Sequence, residues 1–298
     1  MKKMLFIMNP YAGQRKAAKN LSEILTVFNR ADYMVNTYMT AGSGDATRIA
    51  REYAAEADLV VCCGGDGTFN ETVSGVLESG ANVPVGYIPA GSTNDFAASL
   101  KLSTNVVQAA QDIVEGEAVS YDVGRFAGRY FTYVASFGAF TRTSYNTPQN
   151  VKNALGHTAY ILSGIQELSQ IRKAHIRMEV DGRVIEDDFL FGAISNSTSV
   201  GGVLQLDPNR VDMSDGLLEV MLIRAPKDLA EITECIMAVQ AQTFNCGMIT
   251  YCTGSSIKVT APADMPWTLD GEREDGHSEI DVENVHLAFR LVTKRKKA

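Results

Sequence analysis

The sequence predicts a two-domain protein in which an N-terminal α/β domain with a mostly parallel sheet precedes a β-rich antiparallel domain of the sandwich or barrel type. Its length of 298 residues suits two domains of about 150 residues each. Short apolar runs alternate with helical patterns up to about residue 118, as in α/β proteins. After that residue, the sequence predicts strands joined by tight turns. We therefore assign residues 1–124 to the first domain and 125–298 to the second, whose last segment, from about residue 286, can return to the first.

The elements of the first domain follow from the spacing of its apolar residues. Leu21, Leu25 and Phe28 recur at helical spacing, which predicts an amphipathic helix. The run 57–63 is short and almost entirely apolar, as expected of a buried parallel strand. In chain order, the predicted elements are strand 4–8, helix 14–29, strand 33–39, helix 45–55, strand 57–63, helix 67–77, strand 83–88 and helix 94–100.

The second domain is predicted from its hairpins. Asp181–Gly182 and Ala127–Gly128 each lie between two strand-like segments, and Asp-Gly is a strong signal for a two-residue hairpin turn. The predicted strands are 122–126, 129–136, 175–180, 183–194, 216–225, 255–262, 265–274 and 286–292, and two helices are expected at about 151–170 and 227–243.

Composition and charge exclude several classes of protein. Hydrophobic residues make up 45% and charged residues 21% of the chain, which excludes a disordered protein. The net charge of −8 gives no reason to expect a nucleic-acid partner. The five cysteines form no C-x-x-C pair, which favours a reducing, cytoplasmic location. The first apolar run is too short for a signal peptide, and the uncharged stretch 235–257 is too polar for a membrane span.

The glycine-rich segment Gly64–Glu71 is the strongest local signal for a binding site. It reads Gly-Gly-Asp-Gly-Thr-Phe-Asn-Glu and joins a predicted strand to a predicted helix. Glycines let backbone amides approach a phosphate, and a helix N-terminus favours negative charge. Thr68 can add a hydroxyl, and Asp66 can hold a metal ion through water. A plain turn capped by either residue is the alternative. Without a Gly-Lys-Ser/Thr ending, the segment is not a Walker A loop.

Two further loops follow apolar strands. Asn9–Gly13 reads Asn-Pro-Tyr-Ala-Gly, and Pro89–Phe96 reads Pro-Ala-Gly-Ser-Thr-Asn-Asp-Phe. Taken alone, the first is better explained as a plain turn, and the second is equally well explained as a helix cap. However, parallel strands end at one edge of a sheet, where α/β proteins bind their ligands. The three loops together therefore favour a single nucleotide site.

These three loops, in this order and at this spacing, resemble those of the bacterial diacylglycerol kinase family, whose catalytic domain is shared with sphingosine kinases. The resemblance continues through Asp122–Gly124, Asp215–Val220 and Leu269–Glu272, and so covers nearly the whole chain. The glycine-rich core alone also resembles NAD kinases and phosphofructokinases. The Asn-Pro opening and the Pro-Ala-Gly-Ser-Thr-Asn-Asp loop together narrow the resemblance to the lipid kinases.

The resemblance implies an active site between the two domains. Asp270 and Glu272 resemble the catalytic acidic pair, one of which acts as general base. Read from the residues alone, Asp270–Gly271 is a hairpin turn. The residues expected to contact ATP are Asn9, Pro10, Tyr11, Ala12, Gly13, Thr40, Gly64, Gly65, Asp66, Gly67, Thr68, Asn70, Glu71, Gly91, Thr93 and Asn94.

The resemblance also implies two Mg²⁺ sites. The ion bound to ATP is expected to be held through water by Asp66, Asp95 and Asp122. A second, structural ion is expected at Asp212, Asp215 and Leu217. From the residues alone, Asp215–Gly216 is a turn and Asp122 a strand cap. Arg210 lies close to the second site in sequence and could compete with a cation there.

The function implied by the resemblance is that of an ATP-dependent lipid kinase, phosphorylating diacylglycerol to phosphatidic acid in phospholipid metabolism. The acceptor could instead be a sphingoid base, a polyprenol, phosphatidylglycerol or NAD. A nucleotide-binding regulator without catalysis is the alternative from another class. The expected partner is a lipid at a membrane surface, contacted peripherally from the cytoplasm, with the basic tail Lys294–Lys297 as one means of contact. A homodimer is left open.

Overall fold

The computed structural model describes residues 1–138, 173–200, 204–207, 210–240 and 246–294. The helix predicted at 151–170 lies outside the described residues. Within them, the predicted fold class is confirmed: an N-terminal α/β domain with parallel strands is followed by an antiparallel β-rich domain.

Four parallel strands form the sheet of the N-terminal domain in the order β2-β1-β3-β4. These strands are β1 (Lys2–Met8), β2 (Tyr33–Met39), β3 (Leu59–Gly64) and β4 (Val85–Pro89). The helices are α1 (Lys16–Lys19), α2 (Leu21–Arg30), α3 (Asp45–Tyr53), α4 (Asp66–Ser79), α5 (Asp95–Ser99) and α6 (Val106–Glu115). Short 3₁₀ turns cover Ala12–Arg15 and Ala54–Glu56.

The central strands of this sheet are apolar throughout because helices cover both faces. On β3, Val60 and Cys62 belong to the same core cluster as Val73 of α4. Val61, which points to the opposite face, belongs to the cluster that contains Phe28 of α2. The carboxyl edge of the sheet is therefore held rigidly between two packed layers, and the loops that leave it start from fixed points.

One prediction for this domain was wrong in detail, and one helix was missed. The single helix predicted over 14–29 is a 3₁₀ turn followed by two helices, and Arg15, where the turn meets the first of them, has a φ of 63°. Helix α6 was not predicted, although its apolar residues recur at helical spacing. The Asn105 side chain caps α6 by accepting hydrogen bonds from the backbone N–H groups of Val107 and Gln108, a standard start signal.

The C-terminal domain consists mainly of antiparallel strands. They are β5 (Glu117–Phe126), β6 (Arg129–Phe131), β7 (Val134–Gly138), β8 (Ala174–Val180), β9 (Arg183–Ser195), β10 (Ser199–Val200), β11 (Leu204–Gln205), β12 (Leu218–Arg224), β13 (Ile249–Gly254), β14 (Ser256–Thr260), β15 (Trp267–Leu269), β16 (Glu272–Glu274) and β17 (Glu279–Thr293). Helix α7 (Leu229–Gln240) lies within the predicted 227–243.

The predicted hairpin turns are confirmed, because both residues of each turn have a positive φ. The angles are 46° and 88° at Ala127–Gly128 and 46° and 87° at Asp181–Gly182, as two-residue turns of this kind require. Strand β13 was not predicted, because it lies in the polar, uncharged stretch that carries no clear alternation. The segment 129–136 contains parts of two strands rather than one.

Strands β5 and β17 connect the two domains. They pair with each other in antiparallel fashion over most of their length, and β17 also pairs with β14. Near its end, β17 reaches the N-terminal sheet, where Leu291 pairs in parallel with Val85 of β4. One continuous sheet therefore runs through both domains and fixes their relative placement.

Candidate active site

The three glycine-containing loops lie against one another at the carboxyl edge of the parallel sheet. The Asn9 N–H donates to the Cys63 carbonyl at 2.9 Å, and the Ala90 N–H donates to the Gly64 carbonyl at 2.7 Å. A Cβ atom added to Gly13 would lie 1.9 Å from the Ala90 carbonyl oxygen. The loops therefore meet backbone to backbone at this edge of the sheet, and close backbones without side chains between them suit a cradle for phosphates.

Gly91→Ala is expected to weaken nucleotide binding. A Cβ atom at this position would lie 2.6 Å from the Gly65 Cα atom, so the methyl group must push two loop backbones apart. Because this separation of the two loops would move the groups that hold the phosphates, we expect the Kd for Mg·ATP to rise at least about tenfold. Isothermal titration calorimetry measures this Kd. The matched control is Gly42→Ala, because a Cβ atom there meets nothing within 4 Å. Equal affinities for the two variants would contradict the phosphate-cradle assignment.

Two of the predicted ATP contacts also hold the loops in place. The Asn94 side chain folds back on Gly91, accepting its N–H at 2.8 Å and donating to its carbonyl at 3.0 Å. The Glu71 carboxylate accepts the N–H groups of Gly44 at 2.7 Å and Ala46 at 3.1 Å. Glu71 thereby connects helix α4 to the loop that follows β2 and begins at Thr40. Whether these side chains also contact ATP stays a prediction.

Other predicted nucleotide residues line the same edge. Asn9 Nδ2 lies 3.4 Å from Thr68 Oγ1, which joins the first loop to the glycine-rich loop. Tyr11 and Thr93 are exposed. The Asn70 side chain donates to the Tyr130 carbonyl of the C-terminal domain at 3.2 Å. Asn70 is therefore one of the contacts that hold the domains together beside the cradle.

Asp66 and Asp95 form a carboxylate pair next to the glycine-rich loop. Asp66 accepts the N–H groups of Asp95 at 3.1 Å and of Phe96 at 3.3 Å. Burial, and next the negative charge of Asp95, raise the pKa of Asp66 to about 6. A buried carboxylate whose charge is disfavoured by a second carboxylate suits a Mg²⁺ ion, which prefers oxygen ligands and keeps several waters. The described residues contain no group of three or more acidic, histidine or cysteine side chains placed to hold a metal directly, so waters and phosphate oxygens must complete any shell.

The Asp122 carboxylate is surrounded by protein hydrogen bonds. Its two oxygens accept N–H groups from Gly216 at 2.7 Å and Leu287 at 2.7 Å, and the Asn284 side chain donates at 3.2 Å. His286 Nδ1 lies 2.9 Å away. These contacts tie β5 to the loop before β12 and to an irregular part of β17. Asp122 thus organises the region between the domains, and its contact with a Mg²⁺-bound water stays a prediction.

The predicted second metal site is a loop with tight local hydrogen bonds. Asp212 accepts from Ser214, and Asp215 accepts the Leu217 N–H at 2.9 Å. Both aspartates line a pocket of about 780 Å³ together with Arg210. Arg210 therefore lines the same pocket as the two aspartates. The second Mg²⁺ site stays a prediction.

Glu219 on β12 is a buried acid that sequence reasoning did not single out. Its side chain is 1% exposed, and its Oε2 atom has no hydrogen-bond partner among the described residues. Burial raises the pKa of Glu219 to about 8, with smaller contributions from the charges of Asp215, Asp212 and Asp122. The group is therefore expected to be largely protonated in the folded protein at neutral pH.

Glu219→Gln is expected to stabilise the protein at alkaline pH but not at pH 5. The folded-state pKa of about 8 exceeds the ordinary value of 4.5, so the folded state holds an extra proton between those values. The free energy of unfolding of the wild type therefore falls as pH rises through that window, whereas glutamine remains neutral. Thermal unfolding of both proteins at pH 5 and pH 8.5 measures the difference. Glu117→Gln, at an exposed position, is the control, and a pH-independent difference for Glu219→Gln would contradict the argument.

The acidic hairpin β15–β16 faces the glycine-rich loop from the C-terminal domain. Asp270 and Gly271 form its turn, with φ angles of 48° and 85°. A Cβ atom added to Gly67 would lie 3.0 Å from Glu272 Oε1. The Glu272 carboxylate therefore lies directly against the candidate phosphate cradle, where the resemblance implies an acidic residue.

Asp270 itself points into the protein. Its side chain is 3% exposed. One oxygen accepts the N–H and hydroxyl of Thr132 at 2.5 and 2.8 Å, and the other accepts the N–H groups of Tyr133 and Val134 at 3.0 and 2.9 Å. Burial raises the pKa of Asp270 to about 6, and these hydrogen bonds act in the opposite direction. The turn interpretation is thus confirmed, and the side chain anchors the hairpin that carries Glu272.

Several contributors to this region were missed by sequence reasoning. Thr132 carries the backbone and hydroxyl donors for Asp270, and Ser199 donates to Asp95. Asn284 bridges Asp122 and the Leu217 carbonyl. A cluster of small polar residues after β9 could have suggested the contact from Ser199, since polar residues after a strand were informative in the first domain. Thr132 and Asn284 carry no such signal.

A two-domain kinase is the class that this arrangement favours, with a candidate phosphate cradle in an α/β domain and an acidic hairpin opposite it. The family model of the diacylglycerol kinase catalytic domain matches residues 3–126. The model of the YegS C-terminal NAD kinase beta sandwich-like domain matches residues 134–292. With these matches and the relatives described next, the chain belongs to the diacylglycerol kinase family and is a lipid kinase.

Relatives match along the whole chain. A diacylglycerol kinase of Bacillus subtilis (strain 168) is 32% identical over 300 residues, covering 100% of this chain and 98% of the relative. One from Staphylococcus carnosus (strain TM300) is 30% identical, covering 91% and 89%. A crystal structure from Bacillus anthracis str. Sterne, assigned provisionally to the diacylglycerol kinases, superposes with a TM-score of 0.81 at 26% identity, covering 98% of this chain and 95% of its own.

Proposed function

We propose that this lipid kinase transfers the γ-phosphoryl group of ATP to the primary hydroxyl of diacylglycerol, giving phosphatidic acid. The observation that carries the proposal is the position of the Glu272 carboxylate against Gly67 of the phosphate cradle. Phosphoryl transfer needs a nucleotide phosphate held in place and a group that takes the proton of the attacking hydroxyl. Relatives named diacylglycerol kinase, which match 91–100% of the chain, support the choice of acceptor.

Within the acidic pair, we assign the base to Glu272 and a positioning role to Asp270. The oxygens of Asp270 already accept four hydrogen bonds in a buried site, so the side chain is poorly placed to take a proton from a substrate. Glu272 is only partly buried and lies at the cradle. Asp270 then serves catalysis by holding the turn two residues before the base.

The Asp66–Asp95 pair is our candidate for holding the ATP-bound Mg²⁺. The ion would offset the negative charge of the phosphates, which an acidic protein of net charge −8 cannot do with these carboxylates alone. Both residues belong to loops that form the cradle, so the ion and the phosphates would be held by the same rigid edge. Hydrogen bonds from the backbone of α5 keep Asp66 in place.

An assay with labelled ATP tests the proposed reaction. Detergent-dispersed diacylglycerol, a sphingoid base, a polyprenol and phosphatidylglycerol are supplied in parallel, with NAD as a soluble comparison. We expect labelled phosphatidic acid as the main product, dependent on Mg²⁺. If another lipid were labelled in preference, the assignment of diacylglycerol as the acceptor would be wrong, but the assignment of lipid kinase activity would stand. If an excess of unlabelled GTP suppressed labelling more strongly than the same excess of unlabelled ATP, the choice of donor would be wrong.

We further propose that the enzyme meets its lipid by peripheral contact with a membrane. No helix among the described residues is both long and apolar enough to cross a bilayer. Of the basic tail, Lys294 lies within the described part and pairs with Glu115 at 2.5 Å, so its charge is already engaged. We therefore expect weak binding to anionic vesicles that high salt abolishes. Co-sedimentation at low and high salt checks this, and salt-independent pelleting would point to apolar insertion instead.

A further inference from the structure

A side-chain contact between the two domains reaches the proposed magnesium site. The hydroxyl of Ser199, on β10 of the C-terminal domain, donates to Oδ1 of Asp95 at the start of α5, at 2.8 Å. Ser199 is 1% exposed and Asp95 is 5% exposed. Water cannot easily replace the hydroxyl at such a depth, and a hydrogen bond to a carboxylate is stronger than one between neutral groups.

Backbone and side chain of Asp95 are held from different domains. Its N–H donates to Asp66, and its carbonyl accepts the Ser99 hydroxyl at 3.1 Å, both within the N-terminal domain. The carboxylate receives a hydrogen bond from Ser199 across the domain boundary. The N-terminal domain therefore fixes where Asp95 lies, and the contact with the C-terminal domain influences which way its carboxylate turns.

The segment that carries Ser199 is itself held by buried hydrogen bonds. The Ser199 N–H donates to the Ser197 hydroxyl at 3.2 Å, and that hydroxyl donates to the Ser199 carbonyl. Earlier in the same segment, the Asn196 side chain donates to the Asp122 carbonyl at 2.8 Å. Because both ends of the segment 196–199 are held in this way, the Ser199 hydroxyl is pre-organised towards Asp95.

We propose that Ser199 is a positioning residue for phosphoryl transfer, which orients the Asp95 carboxylate towards the nucleotide-bound Mg²⁺ when the two domains are packed together. The inference rests on the proposed use of Mg·ATP. Partners that orient a metal-binding carboxylate affect metal affinity or activity by about 10- to 100-fold when removed. Ser199 thereby makes the geometry of the metal site depend on the C-terminal domain.

The test measures how Mg²⁺ stabilises the full chain in the presence of a non-hydrolysable ATP analogue. Thermal unfolding is followed while Mg²⁺ is titrated, and kcat and KM for Mg·ATP are measured alongside. For Ser199→Ala, we expect the Mg²⁺ concentration for half-maximal stabilisation to rise about 10- to 100-fold. Ser99→Ala is the matched control, because it removes a hydroxyl that donates to the backbone of Asp95 rather than to its carboxylate. Because the N–H of Asp95 still donates to Asp66 in this variant, the backbone of Asp95 stays in place and the Mg²⁺ dependence should be unchanged.

A double-mutant cycle separates positioning from a general structural effect. If Ser199 acts through Asp95, adding Ser199→Ala to Asp95→Asn should change the Mg²⁺ dependence no further, whereas independent effects would add. Additive effects, or a Ser199→Ala protein with wild-type Mg²⁺ dependence, overturn the inference. Should Ser199→Ala fail to fold, Ser199→Cys takes its place with the same expectations, since a thiol is a weak donor of similar size. A wild type without any Mg²⁺-dependent response would contradict the proposed function as well.

Discussion

Glu272→Gln is expected to lower kcat by about 10²–10⁴ while leaving the melting temperature and the Kd for Mg·ATP nearly unchanged. Glutamine keeps the size of the side chain but cannot take the proton of the acceptor hydroxyl, and loss of a general base has an effect of this order. The side chain is only partly buried, so little folding energy depends on its charge. Steady-state kinetics with diacylglycerol and thermal unfolding provide the two measurements.

Glu274→Gln is the matched control for this variant. Glu274 lies on the same strand, β16, and forms an ion pair with Arg129. Arg129 is half exposed and water can solvate it when the ion pair is removed, so stability should fall by about 1 kcal/mol and kcat should stay within about twofold. If Glu272→Gln retains wild-type turnover, or if both variants lose activity equally, Glu272 is not the base.

The parts of the fold that were predicted correctly are those with local causes. The turn at Asp181–Gly182 needs two residues with positive φ, and Asp-Gly is a residue pair that commonly adopts these angles, so the turn could be predicted from the sequence. Strand β3 is buried on both faces, so its sequence is apolar throughout. Strand β13 was missed because Tyr251 and Cys252 are only partly buried and the strand shows no clear alternation. Its position depends on pairing with β12, which is a tertiary cause.

In the candidate site, too, the features with local causes could be predicted from the sequence and those with tertiary causes could not. The loops that contain Gly65 and Gly91 could be predicted, because close backbone approach demands glycine and leaves a mark in the sequence. The direction in which a carboxylate points, by contrast, cannot be predicted from the residue types around it in the sequence. Asp270 and Glu272 look equivalent in sequence, yet one points into a cage of donors and the other towards the cradle. That difference arises from Thr132, which is 138 residues away along the chain.

Asp270→Asn is expected to lower both stability and activity, in contrast to Glu272→Gln. The Asp270 oxygens accept three backbone N–H groups and the Thr132 hydroxyl. An asparagine amide would direct N–H donors at some of these donors. Each buried group left unsatisfied costs about 1–3 kcal/mol, so the melting temperature should fall by several degrees. We expect kcat to fall with it, because the displaced turn carries Glu272 away from Gly67.

Asp181→Asn makes the control for this prediction unusually close. Asp181 occupies the same position of an Asp-Gly hairpin turn, with a φ of 46° against 48° for Asp270, and its carboxylate also accepts two backbone N–H groups and a hydroxyl. Asparagine tolerates this backbone conformation as aspartate does, so neither turn is strained by the change. Asp181 is exposed, and water can satisfy its partners. A similar loss of stability in both variants would show that the turn itself, rather than the buried hydrogen-bond donors around Asp270, holds the hairpin in place. If Asp270→Asn lost activity without any loss of stability, Asp270 rather than Glu272 would be the base.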